Sequence, residues 1–374
     1  MKAKEGLRTW IEIDAQKLKA NYIIFCKMAG EGTMLMAITK SNAYGHGLLD
    51  FSKTMKKLGA DWLGVDSIVE ALAVRKAGIR MPILVLGYTM HERYAEAARA
   101  GISVTISNFA ALKSAMGEAM RTKPLRVHIK IDTGMHRQGF APQDIAKVFP
   151  YFKKKNANLR LEGIYTHFAA AKNPAFPKDT RAQIALFEGV LEAARQAGFR
   201  PIRHAAATSG AILFPEAHYD MIRVGIGMYG LWPSKEAEAA FHYQFRLKPV
   251  LTWKTIISEV KELTAGSRVG YDFTEELWRH SVVAICPIGY WHGYPRALSS
   301  VGYVMVRGKQ AKILGRISMD MIIIDVTDIK GIAVGDEATV IGEGITADAL
   351  AYLADTSNYE IVTRINPLIK RIYK

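Results

Sequence analysis

At 374 residues, 49% of them hydrophobic and with ordinary glycine and proline content, the chain exceeds one compact domain of usual size and is too apolar to remain disordered. Its net charge of +15 is scattered, with short clusters such as Lys153-Lys154-Lys155 and Lys370-Arg371. No nucleic-acid-binding motif accompanies that charge, so a basic solvated surface that attracts anionic ligands is expected instead. No apolar run reaches the roughly 18–20 residues of a membrane helix, and Met1–Trp10 carries no secretory apolar stretch. Cys26 and Cys286 lie far apart without metal-ligand spacing, which suits a reducing, cytoplasmic setting with two free thiols and no metal.

From about residue 30 to 230, short apolar β-rich runs alternate with longer amphipathic stretches. The predicted strands are Leu35–Thr39, Trp62–Val65, Ile83–Leu86, Ser103–Ile106, Arg126–Ile131, Leu161–Thr166, Ile202–Ala206 and Ile222–Met228. Helical periodicity falls between them, at Ile68–Ala77, Ala110–Met120 and Ile184–Ala197. Alternating βα units demand parallel neighbours and right-handed crossovers, so this half is predicted to be a (β/α)8 TIM barrel, an α/β fold.

After Leu231-Trp232-Pro233 the pattern changes. Strand-like runs crowd together at Leu251–Val260, Ser281–Pro287, Gly302–Val306, Gln310–Ile317, Met321–Val326 and Glu337–Ile341, with one helix at Ala347–Asp355. A mainly antiparallel β domain is expected over residues 237–374, following a barrel over residues 1–236. Thr9–Ile13 alternates outside the barrel count and is expected to add a strand to the β domain.

Barrels gather reactive groups at the C-terminal ends of their strands. Lys40 ends the first strand, Arg137 follows the fifth, His167 ends the sixth, Ser209 follows the seventh and Arg223 lies on the eighth, ahead of Gly225-Ile226-Gly227. Ser209 and the glycine-flanked turn stand where such barrels bind phosphate. A lysine able to form a Schiff base beside a phosphate site suggests pyridoxal phosphate, with an arginine for the ring nitrogen. Each residue alone has a plainer reading: salt-bridge lysine, structural arginine, core histidine or helix cap. Their placement on several strands of one face makes that plain set less plausible.

The segments carrying these residues are specific. They are Ala-Ile-Thr-Lys-Ser-Asn-Ala-Tyr-Gly-His-Gly at 37–47, Asp-Thr-Gly-Met-His-Arg-Gln-Gly-Phe at 132–140, Thr-His-Phe-Ala at 166–169 and Met-Ile-Arg-Val-Gly-Ile-Gly-Met-Tyr-Gly at 221–230. Val-Gly-Tyr at 269–271, Gly-Tyr-Trp-His-Gly-Tyr-Pro-Arg at 289–296, Gly-Arg-Ile-Ser-Met-Asp at 315–320 and Asn-Tyr-Glu at 358–360 follow in the second half. Over essentially its whole length the chain resembles the alanine racemases, pyridoxal-phosphate isomerases that supply D-alanine for peptidoglycan.

The resemblance implies two catalytic bases. Lys40 would anchor the cofactor and serve one face of the substrate, and Tyr271 would serve the other from a partner subunit, making a homodimer with composite sites. Tyr44, Ser209, Gly225, Ile226 and Tyr359 would hold the phosphate, and Arg223 the pyridine nitrogen, with His167 beside it. Arg137 would contact the phenolic oxygen and help bind the substrate carboxylate together with the Met319 N–H. Tyr290 and Tyr359 would narrow the entrance for a small amino acid such as alanine. Lys130 matches a lysine that is carbamylated in many members; pairing with a carboxylate is the equal alternative.

Departures concern specificity. Thr208-Ser209 stands where Asn-Ser is commoner, Trp291-His292 replaces a commoner Ala-Asp, and residues 170–177 are apolar and proline-bearing where an acidic run is usual. A racemase acting on serine or a broader range is therefore an open alternative. A related amino-acid decarboxylase is less well matched, because Ile285-Cys286-Pro287 does not resemble its catalytic cysteine motif. A non-catalytic cofactor carrier and a cofactor-free aldolase both leave the second-half motifs unexplained.

Overall fold

The computed structural model describes residues 5–119, 123–153 and 159–374. Met1–Lys4, Met120, Lys154 and Lys155, which enter the expectations above, lie outside them. Two compact units emerge: Lys17–Ala43 with Leu48–Lys248, and Tyr44–Gly47 with Pro249–Lys374 and the N-terminal residues up to Gln16.

The first strand, β1 (Thr9–Ile13), belongs to the second unit. The next eight are β2 (Met34–Ile38), β3 (Trp62–Val65), β4 (Ile83–Val85), β5 (Ser103–Ile106), β6 (Leu125–Lys130), β7 (Leu159–Tyr165), β8 (Ile202–His204) and β9 (Met221–Val224). They form one 8-stranded parallel sheet in the order β8-β7-β6-β5-β4-β3-β2-β9. Its ends meet where the Arg223 N–H donates to Ala206 O at 2.9 Å and Ala207 bridges Arg223 in parallel. The ring is thus closed, as the alternating pattern predicted.

A parallel sheet flanked by helices is buried on both faces, which is why these strands read as continuous apolar runs. Leu35, Ala37, Leu63, Val65, Val85, Val104, Ile106, Val127, Ile129 and Ile164 are all buried. The expected helices form as Ile68–Lys76, Phe109–Ala119 and Lys178–Gln196. The first starts where the Ser67 hydroxyl accepts the Glu70 N–H at 3.3 Å, a serine cap. The last strand is shorter than expected. It stops at Val224, and Ile226–Tyr229 turns into a 3-10 helix.

The second unit holds β10 (Leu251–Ile256), β11 (Glu259–Leu263), β12 (Arg268–Val269), β13 (Glu275–Glu276), β14 (Ser281–Cys286), β15 (Tyr303–Val306), β16 (Lys309–Lys312), β17 (Ile322–Asp325), β18 (Glu337–Ile341) and β19 (Lys370–Tyr373). A 6-stranded sheet runs β16-β15-β18-β10-β1-β19, antiparallel except for β1 against β19. A 3-stranded antiparallel sheet, β11-β14-β17, packs Val269, Leu277, Val283 and Leu314 into a small core. As expected, β1 joins this unit.

Several boundaries differ from the sequence reading. The run at 251–260 breaks in two because the chain changes sheets: Ile257 N–H donates to Asp336 O and Ser258 N–H to Ile285 O, each at 2.8 Å. The run at 310–317 pairs as a strand only to Lys312, and the helix at 347–355 ends at Leu353. The two units part between Lys248 and Pro249 rather than after residue 236. The intervening helix Lys235–Phe241 stays with the barrel, where Trp232 stacks on Phe245 at 5.1 Å. The short pair β12 and β13, the strand β19 and the helix Asn358–Thr363 lie outside the expected elements.

Candidate active site

Lys40 follows directly on β2, at the C-terminal edge of the barrel. The three residues after it, Ser41, Asn42 and Ala43, take left-handed backbone angles with φ of 55°, 55° and 51°. For residues with a Cβ this conformation costs roughly 1–2 kcal/mol each, so surrounding contacts must impose it. Those contacts are present. Thr39 O accepts the Ala43 N–H at 2.9 Å, Asn42 N–H donates to Glu70 Oε1 at 3.3 Å, and Asn42 Oδ1 accepts the Leu48 N–H at 3.0 Å. The buried Tyr229 hydroxyl donates to Ile38 O at 2.7 Å, fixing the strand end that presents the lysine.

Arg137 sits in a loop shaped by Asp132. One carboxylate oxygen accepts the N–H groups of Gly134 and His136, both at 3.0 Å, a turn that aspartate forms readily. Phe140 closes the loop by donating to Lys130 O and accepting from Asp132 N–H, each at 2.9 Å. Burial works against the Asp132 carboxylate, but these N–H groups outweigh it and hold its pKa below the usual value. Lys130, buried at the end of β6, donates to Gln138 Oε1 at 3.3 Å and not to a carboxylate. Burial, then the charges of Arg137 and Arg223, push its ammonium pKa down to about 8.

Arg223 is buried on β9 and donates in several directions. NH1 reaches His204 Nδ1 at 3.0 Å. NH2 reaches Ala205 O at 2.8 Å, Thr166 O at 2.9 Å and His167 Nδ1 at 3.3 Å. Its Nε–H has no protein acceptor among the described residues. The guanidinium also lies 5.2 Å from the centre of the Tyr165 ring. Burial lowers the Arg223 pKa to about 10, which still leaves it cationic at neutral pH. His167 is pushed to about 3, by burial first and then by Arg223, Arg137, Lys130 and Lys40, so it stays neutral. One neutral imidazole surrounded by four cations, opposed by Asp132, is a site that calls for anionic occupants.

Of the expected phosphate residues, Gly225 and Ile226 lie in the turn after β9 and Ser209 follows β8. Thr208 and Ser209 open the helix Thr208–Leu213. The Thr208 Oγ1 accepts the N–H groups of Gly225 at 3.0 Å and Gly227 at 3.4 Å. The Gly225 amide, expected to face a ligand, is thus already given to Thr208. This contact is what the threonine supplies in place of asparagine.

In the second unit, Tyr44 and Tyr359 lie with ring centres 6.2 Å apart. Burial lifts the Tyr44 phenol to about 12, and burial together with Tyr44 raises that of Tyr359, so both hydroxyls keep their protons as donors. Gly45 has φ of 82°, and a Cβ there would stand 1.9 Å from Val362 O, so only glycine lets the Tyr44 segment lie against the helix bearing Tyr359. Tyr271 is 68% exposed in a 3-10 turn, with Phe273 and Trp278 exposed nearby in sequence. Tyr290 and Met319 are also exposed, and their loops are tied together: Tyr290 N–H donates to Ser318 O at 3.1 Å and Trp291 N–H to Met319 O at 3.0 Å. His292 turns inward, its Nδ1 accepting the Gly289 N–H at 3.2 Å, so of the departing pair only Trp291 faces outward.

Of the expected residues, the barrel unit brings Lys40, Lys130, Arg137, His167 and Arg223 into one electrostatic cluster. Tyr44, Tyr271, Tyr290, Met319 and Tyr359 fall in the β unit. Pyridoxal phosphate fits the donor set of the barrel unit: a lysine amine at a strand end, an undirected Arg223 N–H, excess positive charge, and the Ser209 hydroxyl for a phosphate. Sequence reasoning passed over His204, His128 and Glu162, which lie behind Arg223. Their signal was there, in charged and histidine residues at alternate positions of strands otherwise apolar.

Residues 13–233 match the family model for the alanine racemase N-terminal domain, and residues 250–373 match that for the alanine racemase C-terminal domain. An alanine racemase of Symbiobacterium thermophilum is 39% identical, covering 99% of this chain and 98% of its own. The alanine racemase structure from Bacillus anthracis with bound L-Ala-P superposes with a TM-score of 0.92 at 30% identity, covering 98% of this chain and 95% of that one. That of Bartonella henselae, with covalently bound pyridoxal phosphate, gives a TM-score of 0.88 at 26% identity, covering 98% of this chain and all of that one.

Proposed function

The chain belongs to the alanine racemase family, and on that premise we propose that it interconverts L- and D-alanine with pyridoxal phosphate on Lys40, supplying D-alanine for peptidoglycan as a cytoplasmic homodimer. The observation that carries this reading is Lys40 at the end of β2, beside β9, on which the buried Arg223 donates to His167 Nδ1 at 3.3 Å. No helix among the described residues is long and apolar enough to cross a membrane.

The cofactor supplies an electron sink that acidifies the substrate α-carbon. The chain's own residues do the rest. Lys40 holds the cofactor and then moves a proton at Nζ on one face. Tyr271 of the partner subunit moves the proton on the other. A free tyrosine titrates near pH ~10, so it needs positive charge nearby to act near neutrality, and Arg223 with neutral His167 is suited to provide it. Arg223 donates to the pyridine nitrogen while remaining a cation. With its proton kept on the arginine, Arg223 would leave the pyridine nitrogen of a bound cofactor unprotonated and its electron sink weak.

Ser209 and Ile226, with Tyr44 and Tyr359, hold the phosphate, and Gly225, whose amide Thr208 occupies, shapes their turn. Arg137 and the Met319 N–H bind the substrate carboxylate, and Tyr290 limits side-chain size. Lys130 is carbamylated: its neutral amine adds to carbon dioxide and releases a proton, giving an anion that steadies Arg137. Exposed Tyr271, Phe273 and Trp278 suit burial against a second copy.

The test is reconstitution with pyridoxal phosphate followed by chiral chromatography on a panel of L-amino acids. Wild type should gain the yellow absorption of the bound cofactor and yield D-alanine without carbon dioxide, and Lys40→Ala should lose the band. A colourless wild type ends this reading, and preferential turnover of serine reassigns the substrate.

A further inference from the structure

Barrel interiors are usually filled by branched aliphatic side chains. Here the inward positions behind Arg223 are polar. His204 on β8 accepts from Arg223 NH1 through Nδ1 at 3.0 Å, and its Nε2 meets His128 Nδ1, on β6, at 2.8 Å. His128 Nε2 lies 3.4 Å from Glu162 Oε2 on β7, an electrostatic contact without hydrogen-bond alignment that leaves the carboxylate as the acceptor nearest that buried nitrogen. Glu162 also accepts the Ser103 hydroxyl and has Arg126 NH1 at 3.7 Å. His128 and His204 are fully buried, whereas the Glu162 side chain is partly open.

Donor inventory gives the chain a direction. A guanidinium only donates, so His204 Nδ1 is unprotonated and its proton sits on Nε2. That N–H donates to His128 Nδ1, which places the His128 proton on Nε2, facing a carboxylate that only accepts. Every proton therefore points from Arg223 toward Glu162. The fold makes room for this arrangement. A Cβ on Gly163 would stand 2.2 Å from His128 Nδ1, Trp62 meets the His128 ring edge-on at 5.4 Å, and Tyr165 stacks on His204 at 4.8 Å.

We propose that Glu162 and His128 are positioning residues for Arg223: the carboxylate at one end and the guanidinium at the other demand the same tautomers of the two buried histidines, and that agreement holds the guanidinium in place with its Nε–H left for the cofactor. A catalytic consequence rests on the role given to Arg223 above; the proton order belongs to the protein alone. Burial lowers the pKa of both imidazoles, consistent with neutral rings that can each donate and accept.

Glu162→Gln keeps the shape but removes the charge and offers N–H as readily as oxygen, so only the Arg223 end still enforces the order. Nitrogen NMR of histidine-labelled apoprotein should show both wild-type rings neutral and protonated at Nε2, and a changed tautomer mixture in Glu162→Gln. In the reconstituted enzyme Glu162→Gln should lower kcat by roughly tenfold or more with a smaller change in KM, the size expected when the partner of a functional group is removed. Ser103→Ala, a gentler loss of one donor to Glu162, should shift both readouts in the same direction and serves if Glu162→Gln does not fold. A cationic or Nδ1-protonated ring in wild type overturns the proposal, as do unchanged resonances and kcat in folded variants. If wild type does not racemise alanine, the functional reading fails separately and the nitrogen resonances alone decide the proton order.

Discussion

Replacing Thr208 by valine tests whether the hydroxyl holds the turn after β9. The two side chains have nearly the same shape, so the perturbation is the loss of one oxygen. That oxygen accepts the Gly225 N–H at 3.0 Å and, near the limit of a hydrogen bond, the Gly227 N–H at 3.4 Å. Both amides are buried, and leaving one buried donor unsatisfied costs about 1–3 kcal/mol. The longer bond adds little, so the expected loss is about 1–3 kcal/mol in all. For a unit the size of the barrel, each kcal/mol lowers Tm by about 2–4 °C, giving a fall on the order of 2–12 °C by calorimetry. Thr208→Ser retains the oxygen and should recover most of that loss. It should not recover all, because the Thr208 methyl packs where a Cβ on Gly227 would come within 2.7 Å. Cofactor affinity, followed by absorbance titration, should fall with Tm in valine and return in serine. A Thr208→Val protein that melts with wild type, or a serine variant no better than valine, refutes the account of this turn.

Acid should unfold the protein steeply. Burial depresses the pKa of His128 and His204 and takes His167 to about 3, against 6.5 for a free histidine. The unfolded chain gains these protons as pH falls below 6.5 while the native state refuses them, so stability is full above that point and declines toward pH 3. Each such histidine contributes about 1.4 kcal/mol per pH unit within the window. Urea unfolding as a function of pH should show a slope of more than one proton, and a flat profile between pH 4 and ~6.5 would contradict the neutral assignments. At a pKa of about 8, roughly one Lys130 in ten is neutral at pH ~7, so labelled bicarbonate should give a carbamate NMR signal absent in Lys130→Arg. No signal in wild type at saturating bicarbonate would exclude the modification. Tyr271→Phe should slow α-proton exchange of one alanine enantiomer more than the other, seen by solvent deuterium incorporation, and equal slowing would remove Tyr271 as a face-specific base. Mixing Lys40→Ala with Tyr271→Ala protein should restore activity through hybrid dimers, and no recovery in a mixture shown to exchange subunits would count against a composite site.

Local sequence was enough for the plan of the molecule. Eight apolar runs separated by amphipathic stretches can bury their faces only as a parallel sheet wrapped by helices, and the crowded runs after Leu247 can only pair antiparallel. Lys40, Arg137, His167 and Arg223 were legible because a barrel's strand ends all open onto one face, so position along a strand is already position in space. What the sequence left open depends on long-range contact. The break at Ile257–Ser258 comes from pairing with Asp336 and Ile285, residues distant in the chain. The left-handed turn after Lys40 exists because Glu70 and Leu48 hold it, not because Ser-Asn-Ala favours it. Thr208 could be noticed as a departure, but only the folded turn shows that its hydroxyl takes the amides of Gly225 and Gly227. His128, Glu162 and His204 read as stray polar residues in apolar strands until closure of the barrel lines them up behind Arg223, because a chain of polar contacts across strands is a property of register and not of any one segment.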